Sequence, residues 1–161
     1  MTNEQRTVLY DRHVSLSAKM APFGGWSMPI QYPTGAVAEH LATRRSAGLF
    51  DVSHMGRFRV RGSGAIAFLQ YALTNSAADL PEWAAHYTIL ATPTGGAIDD
   101  AFLYRQSGDE FLLVVNASNA GKNWEHLNAI LTAGDFGEVE LTDVTNEMAM
   151  LALQGPASQD I

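Results

Sequence analysis

Apolar side chains recur at Val37, Ala38, Leu41 and Ala42, a spacing that predicts a one-sided helix capped by Thr34 and closed at Gly48. A strand is predicted next over 49–61. Its second half, Arg57-Phe58-Arg59-Val60-Arg61, alternates basic with apolar residues, as a strand does when one face meets a core and the other water. Ile66, Leu69 and Leu73 predict a second helix started at Ser63, and Ala120, Trp124, Leu127 and Leu131 a third over 118–133. Strands are expected at 85–92, 97–106 and 111–117, the last two joined by the hairpin turn Ser107-Gly108-Asp109-Glu110, and at 137–144 and 148–153. Over 7–33 no period survives Pro22, Gly24, Gly25, Pro29 and Pro33. The apolar Phe23, Trp26, Met28, Ile30 and Tyr32 predict an irregular segment that is nonetheless packed.

This order of elements favours an α+β architecture, antiparallel sheet with helices on one face, over a parallel doubly wound sheet, which would alternate strand and helix. The final residues, Gly155-Pro156-Ala157-Ser158-Gln159-Asp160-Ile161, place a helix-starting proline where no helix has room to develop. The sequence reads as cut at its carboxy terminus.

The chain has 161 residues, 47% hydrophobic and 17% charged, enough for one sizeable core or two small ones. A formal net charge of -7 argues against sequence-independent nucleic-acid binding, which needs a basic field to displace counterions. With no cysteine, a disulfide framework, a thiolate metal site and a cysteine nucleophile are excluded. The polar start Met1-Thr2-Asn3-Glu4-Gln5-Arg6 and the absence of a long apolar run give no signal peptide and no membrane span. Cytoplasmic residence is the expectation, or a mitochondrial matrix if the source is a eukaryote.

Asp51, Ser53 and His54 lie in one short run, but on an extended strand His54 points away from the other two, and no nucleophile elbow surrounds the serine. His13, His40, His86 and His126 lack metal-ligand spacing, so no metal is expected. The pairs Gly24-Gly25 and Gly95-Gly96 read as turns, not phosphate loops. Asp99 and Asp100 open a strand and should face opposite ways, with Asp100 beside Phe102 and Tyr104. Two readings of Asp100 stand: a solvated acid at a turn exit, or a carboxylate held where it accepts a proton or stabilises positive charge.

Several motifs in order resemble a known family. Leu9-Tyr10-Asp11-x-His13, Pro22-Phe23-x-Gly25-Trp26-Ser27-Met28-Pro29, Glu39-His40-Leu41, Phe50-Asp51-Val52-Ser53-His54-Met55-Gly56, Gly95-Gly96-x-Ile98-Asp99-Asp100, Val114-Val115-Asn116-Ala117 and Leu153-Gln154-Gly155-Pro156 are together similar to the T-protein family of the glycine cleavage system. Members are aminomethyltransferases that use tetrahydrofolate as co-substrate and meet a lipoylated H-protein as partner. By that resemblance Asp100 is the catalytic aspartate, and Met55, Tyr87, Asp100, Phe102, Tyr104 and Asn116 line the folate pocket; Asp99 takes no such role. Ser17 stands where the family usually has glycine, and Phe102 where it is more often aliphatic.

The resemblance also implies a folate-binding T-protein fold: residues 1–56 begin a first domain, 57–146 form an α+β domain of ferredoxin-like type, and 147–161 return into the first. Two other functions stand beside this one, a non-catalytic folate binder of the same fold and the folate half of a flavoenzyme. No flavin-binding glycine motif supports the latter, and a third reading makes the chain an inactive fragment.

Overall fold

Gly24 and Gly25 both adopt positive φ, 57° and 86°, the backbone of a two-residue hairpin turn that residues with a Cβ resist. In the computed structural model, which describes residues 4–161, they join β2 (Lys19–Phe23) to β3 (Trp26–Gln31), with Phe23 opposite Trp26. Met1–Asn3 of the polar amino terminus lie outside the described residues. A short β1 (Gln5–Arg6) pairs with β3 in parallel, and α1 (Tyr10–Ser15) precedes the hairpin. The segment expected to be irregular is therefore ordered. Its strand prolines are tolerated because Pro22 lies on the edge strand β2, and Pro29 lies beyond the β3 residues that β1 reaches.

The helix predicted after Thr34 is α2 (Ala36–Arg45), but it ends at Ser46, and Gly48 already belongs to β4 (Gly48–Asp51). Glycine at 48 permits a close approach to α2, since a Cβ there would meet the Thr43 hydroxyl, which would have to shift. The apolar stripe of α2 is not covered: Val37 is 75% and Leu41 41% exposed.

The single strand expected over 49–61 is two strands. Ser53 N–H donates to Asp51 Oδ1 at 2.9 Å, a side-chain turn that mimics a backbone turn and ends β4. The chain then starts β5 (Gly56–Arg61), followed by α3 (Ala65–Ala72), β6 (Ala85–Ala91), β7 (Ala97–Ser107), β8 (Glu110–Val115), α4 (Ala120–Ala133) and β9 (Glu140–Asp143). These five strands form one antiparallel sheet in the order β6-β7-β8-β5-β9. Because β5 lies between β8 and β9, the connection through α4 is a split β-α-β unit, the ferredoxin-like element, with a three-stranded meander β6-β7-β8 beside it. Finally β10 (Leu151–Gln154) pairs antiparallel with β4. The fold is α+β, antiparallel sheet with flanking helices.

The chain divides into two compact units, Met1–His54 with Glu147–Ile161, and Met55–Asn146. The second holds the main core: Phe58, Val60, Leu103, Phe111 and Leu113 from the sheet meet Phe68 and Leu69 of α3 and Leu127 of α4, all fully buried. Both helices lie on this one face. In the first unit Trp26, Met28 and His13 are buried, while Leu49, Phe50, Leu151 and Leu153 on the β4–β10 pair stay exposed.

Arg57 departs from the alternation that predicted a wet side chain. It is 1% exposed, and its guanidinium donates to the carbonyls of Met55, at 2.6 Å, and Thr145. Its own amide donates to Thr145 Oγ1 at 3.0 Å, and its carbonyl accepts from Val144 N–H at 2.9 Å. The two ends of the second unit are thus tied to each other.

Candidate functional site

Strand register sorts the face of the five-stranded sheet opposite α3 and α4 into rows. Ala85, Tyr104, Leu112 and Arg59 form one, and Tyr87, Phe102, Val114 and Arg57 the next. The third row begins with Ile89 opposite Asp100. Since Ala101 pairs with Val115 and Gly56 with Val115, Asn116 and Met55 leave their strands level with Asp100. The six residues singled out from the sequence, Met55, Tyr87, Asp100, Phe102, Tyr104 and Asn116, thereby fall on adjacent rows of one face. Side chains two apart on a strand share a face, which places Asp100, Phe102 and Tyr104 together.

The aromatic part is contiguous. The Tyr87 and Phe102 rings meet edge to face with centroids 4.6 Å apart, and Phe102 and Tyr104 are tilted at 5.1 Å. Tyr87 is 69% exposed, an arrangement that offers π surface to a ligand instead of spending it in a core. Burial raises the pKa of the Tyr104 phenol, with a smaller push from Tyr87, so it stays a neutral hydrogen-bonding group at physiological pH.

Asp99 and Asp100 separate as strand geometry requires. Asp100 is exposed on the face opposite α3 and α4, and Asp99 is buried at 7% exposure on the core side. Asp99 Oδ1 accepts from Asn116 Nδ2 at 2.9 Å and Asn119 Nδ2 at 2.6 Å; Oδ2 accepts from Asn123 Nδ2 at 2.6 Å and the Asn116 main-chain N–H at 3.3 Å. Burial pushes the Asp99 pKa up, but the asparagine hydrogen bonds outweigh it and the net shift is downward. Asn116 Nδ2 also lies 3.0 Å from Asp100 Oδ1 and 3.2 Å from its carbonyl oxygen. One amide therefore touches both acids.

The sequence reading separates Asp99 from Asp100 but gives Asp99 no role, and it does not single out Asn119 or Asn123. A signal was present: Asn116, Asn119 and Asn123 are three and four residues apart, the spacing that stacks side chains on one face of a helix start. Met55 is half-buried just ahead of β5, its carbonyl taken by Arg57.

A second polar cluster lies within the first unit. His13 Nδ1 is 2.8 Å from the Tyr32 hydroxyl and Nε2 is 2.9 Å from Asp51 Oδ2. Glu39 Oε1 accepts the Tyr32 main-chain N–H at 2.6 Å. These groups border a cavity of about 390 Å³, but both imidazole nitrogens are spent on protein partners, as in a structural network. Burial raises the Tyr32 pKa, and the charges of Glu39 and Asp51 add to it. No group of three or more His, Asp or Glu among the described residues is placed to hold a metal ion, and no helix among them is long and apolar enough to cross a membrane.

Comparison with known proteins adds three findings. Residues 9–161 match the family described as the GCVT N-terminal domain. An aminomethyltransferase of Deinococcus deserti is 47% identical over 157 residues, covering 98% of this chain and 43% of the relative; one of Chlorobaculum tepidum is 49% identical, covering 98% and 42%. The crystal structure of glycine cleavage system aminomethyltransferase T from Bartonella henselae superposes with a TM-score of 0.89 at 38% identity, over 97% of this chain and 42% of that one. The chain spans less than half the length of these relatives.

Proposed function

The chain belongs to the GCVT N-terminal domain family, and from that premise we propose that it carries the catalytic carboxylate and one wall of the folate pocket of a tetrahydrofolate-dependent aminomethyltransferase. The observation that carries the reading is the placement of Asp100 at the end of the Tyr87–Phe102–Tyr104 wall, with the Asn116 amide against it. A reduced pterin is flat, apolar on its faces and rich in N–H groups at its edge. Aromatic rings suit the faces, and a carboxylate with a neighbouring amide suits the edge.

The co-substrate supplies two N–H nitrogens that take up, between them, the methylene carried as an aminomethyl on the lipoyl arm of an H-protein; the bonds from that carbon to the amine and to sulfur break, the two N–H protons go to the leaving ammonia and the carrier thiol, and methylenetetrahydrofolate and the dihydrolipoyl carrier result. The side chains of this chain supply surroundings for that exchange. Tyr87, Phe102 and Tyr104 hold the ring against the sheet and keep water from one side of it. Asp100 orients the ring through its edge N–H groups and stabilises positive character as nitrogen bonds to carbon, which a carboxylate does best where water is scarce. Asn116 holds Asp100 in place. Met55, level with Asn116, borders the same row.

The test is Asp100→Asn in the full chain that carries this sequence, assayed with aminomethylated H-protein and tetrahydrofolate, beside calorimetry with 5-formyltetrahydrofolate. The expected result is a fall in turnover of about 10²- to 10³-fold, the usual cost of removing one preorganised electrostatic group, with folate binding retained. Turnover within about threefold of the parent would overturn the assignment. Folate binding with no methylene transfer by the parent would point instead to a non-catalytic folate binder.

A further inference from the structure

Asp99 faces the core, away from the proposed reaction, yet it gathers the amides of Asn116, Asn119 and Asn123. A structural carboxylate at a strand end does not need three side-chain amides. We propose that Asp99 is a positioning residue for the Asp100 site and acts through Asn116, an inference that rests on the reading of Asp100 given above.

Donor and acceptor roles decide which way each amide turns. An ionised carboxylate only accepts, so each asparagine around it must turn its NH2 group inward. For Asn116 this choice has a consequence on the other face of the strand. Its Nδ2 carries two hydrogens; with one directed at Asp99 Oδ1, the other is left for Asp100, whose Oδ1 and carbonyl oxygen lie within 3.0 and 3.2 Å. With both hydrogens of Nδ2 directed at the acids, Oδ1 of Asn116 takes no part in either contact. Were the amide flipped, its oxygen would oppose two acids and Asp100 would lose its donor.

The cage is rigid where it needs to be. Asn119 and Asn123 stand one turn apart at the start of α4, and Asn123 is fully buried, with its Oδ1 finding no partner among the described residues. An amide half-satisfied in a core carries a desolvation cost, which the contact with Asp99 offsets. Hydrogen bonds that hold Asp99 ionised also keep it an acceptor throughout the pH range in which an enzyme of this kind works.

A double-mutant cycle in the full chain tests this, with turnover and folate affinity measured for Asp99→Asn, Asn116→Ala and the pair, each checked for folding by its melting temperature. Asp99→Asn should lower turnover about tenfold alone, and less than about twofold once residue 116 is alanine, because groups acting through one another are not additive. Asn119→Ala is the second variant should Asp99→Asn not fold. It loosens the carboxylate without removing it, should cost about threefold in turnover, and should likewise lose its effect in the Asn116→Ala background. Equal losses in both backgrounds, or full turnover in folded Asp99→Asn, would overturn the proposal and leave Asp99 a purely structural group. Failure of the underlying reading has a separate signature, an Asp100→Asn variant that turns over like the parent.

Discussion

Replacing His13 by alanine should destabilise the first unit strongly, by about 4 kcal/mol, while leaving the second intact. The imidazole is 7% exposed and bridges Tyr32 at 2.8 Å and Asp51 at 2.9 Å, so its loss strips a partner from a carboxylate that is 1% exposed. A hydrogen bond to a charged buried group contributes ~1.5–3 kcal/mol and one to a neutral hydroxyl ~1 kcal/mol; the void left by the ring adds ~1 kcal/mol more. The total, about 4 kcal/mol, is a large part of the stability of an ordinary small domain, ~5–15 kcal/mol. Hydrogen exchange with peptide resolution reads the two units separately. The amides of β3 and β4 should lose protection in His13→Ala, and those of β7 and β8 should keep it. Protection in β3 and β4 within ~0.5 kcal/mol of the parent would refute the reasoning, because surface contacts have effects of that size. Acid gives an independent check. Burial raises the Asp51 pKa, but hydrogen bonds from Ser53 and His13 outweigh it and the net shift is down. A carboxylate whose folded pKa lies below its unfolded value, about 3.9, stabilises the fold above that pH and loses its contribution as pH falls through the folded value. The first unit should therefore weaken below about pH 4, and less steeply in His13→Ala, where one of the contacts that lower the pKa is gone.

Three further outcomes follow from the geometry. Phe102→Ala removes the ring that touches both Tyr87 and Tyr104; with aromatic pairs worth ~0.5–1.5 kcal/mol each, calorimetry should find affinity for 5-formyltetrahydrofolate about tenfold weaker, and an unchanged value would exclude this wall as the ring's seat. Asp99, whose pKa is also lowered on balance, contributes stability above about pH 4 that is lost on acidification; Asp99→Asn should flatten the acid limb of the second unit's unfolding, which protection of the β7 amides against pH would report. Gly64→Val places a side chain where even a Cβ would meet the Phe136 carbonyl and lie 2.9 Å from Val139 Cγ2; overpacking of this kind costs ~1–3 kcal/mol, seen as a lower urea midpoint, and an unchanged midpoint would show that the segment around 136 yields freely.

What the sequence disclosed depended on how local the cause was. The β7–β8 hairpin was legible because alternation and the turn at Gly108 are nearest-neighbour properties, and Ser107 does pair with Glu110. The same alternation separated Asp99 from Asp100. It misled at Arg57, where the buried guanidinium is explained by its donation to the carbonyl of Thr145, 88 residues away. The His13 network spans 19 and 38 residues and left no periodic trace. In 7–33 the prolines masked two strands because their tolerance depends on which edges go unpaired, a property of the sheet and not of the run. Of the candidate site, the residue types came from the family resemblance and from strand alternation, and their rows came from register. The asparagine cage needed α4 to be placed before its spacing meant anything.

The tie that Arg57 makes between the two ends of the second unit bears on the order in which the chain acquires structure. Pairing β4 with β10 means closing a loop from Asp51 to Leu151, and the entropy lost grows with the logarithm of the free chain between them. Once the second unit has folded and its ends are joined through Met55, Arg57 and Thr145, that long intervening chain counts as a short connector. Most of the closure cost of β4–β10 has then already been met by another core. The second unit should thus fold first and act as the nucleus for the first, and sub-global opening of the first should leave the second closed, while opening of the second releases both.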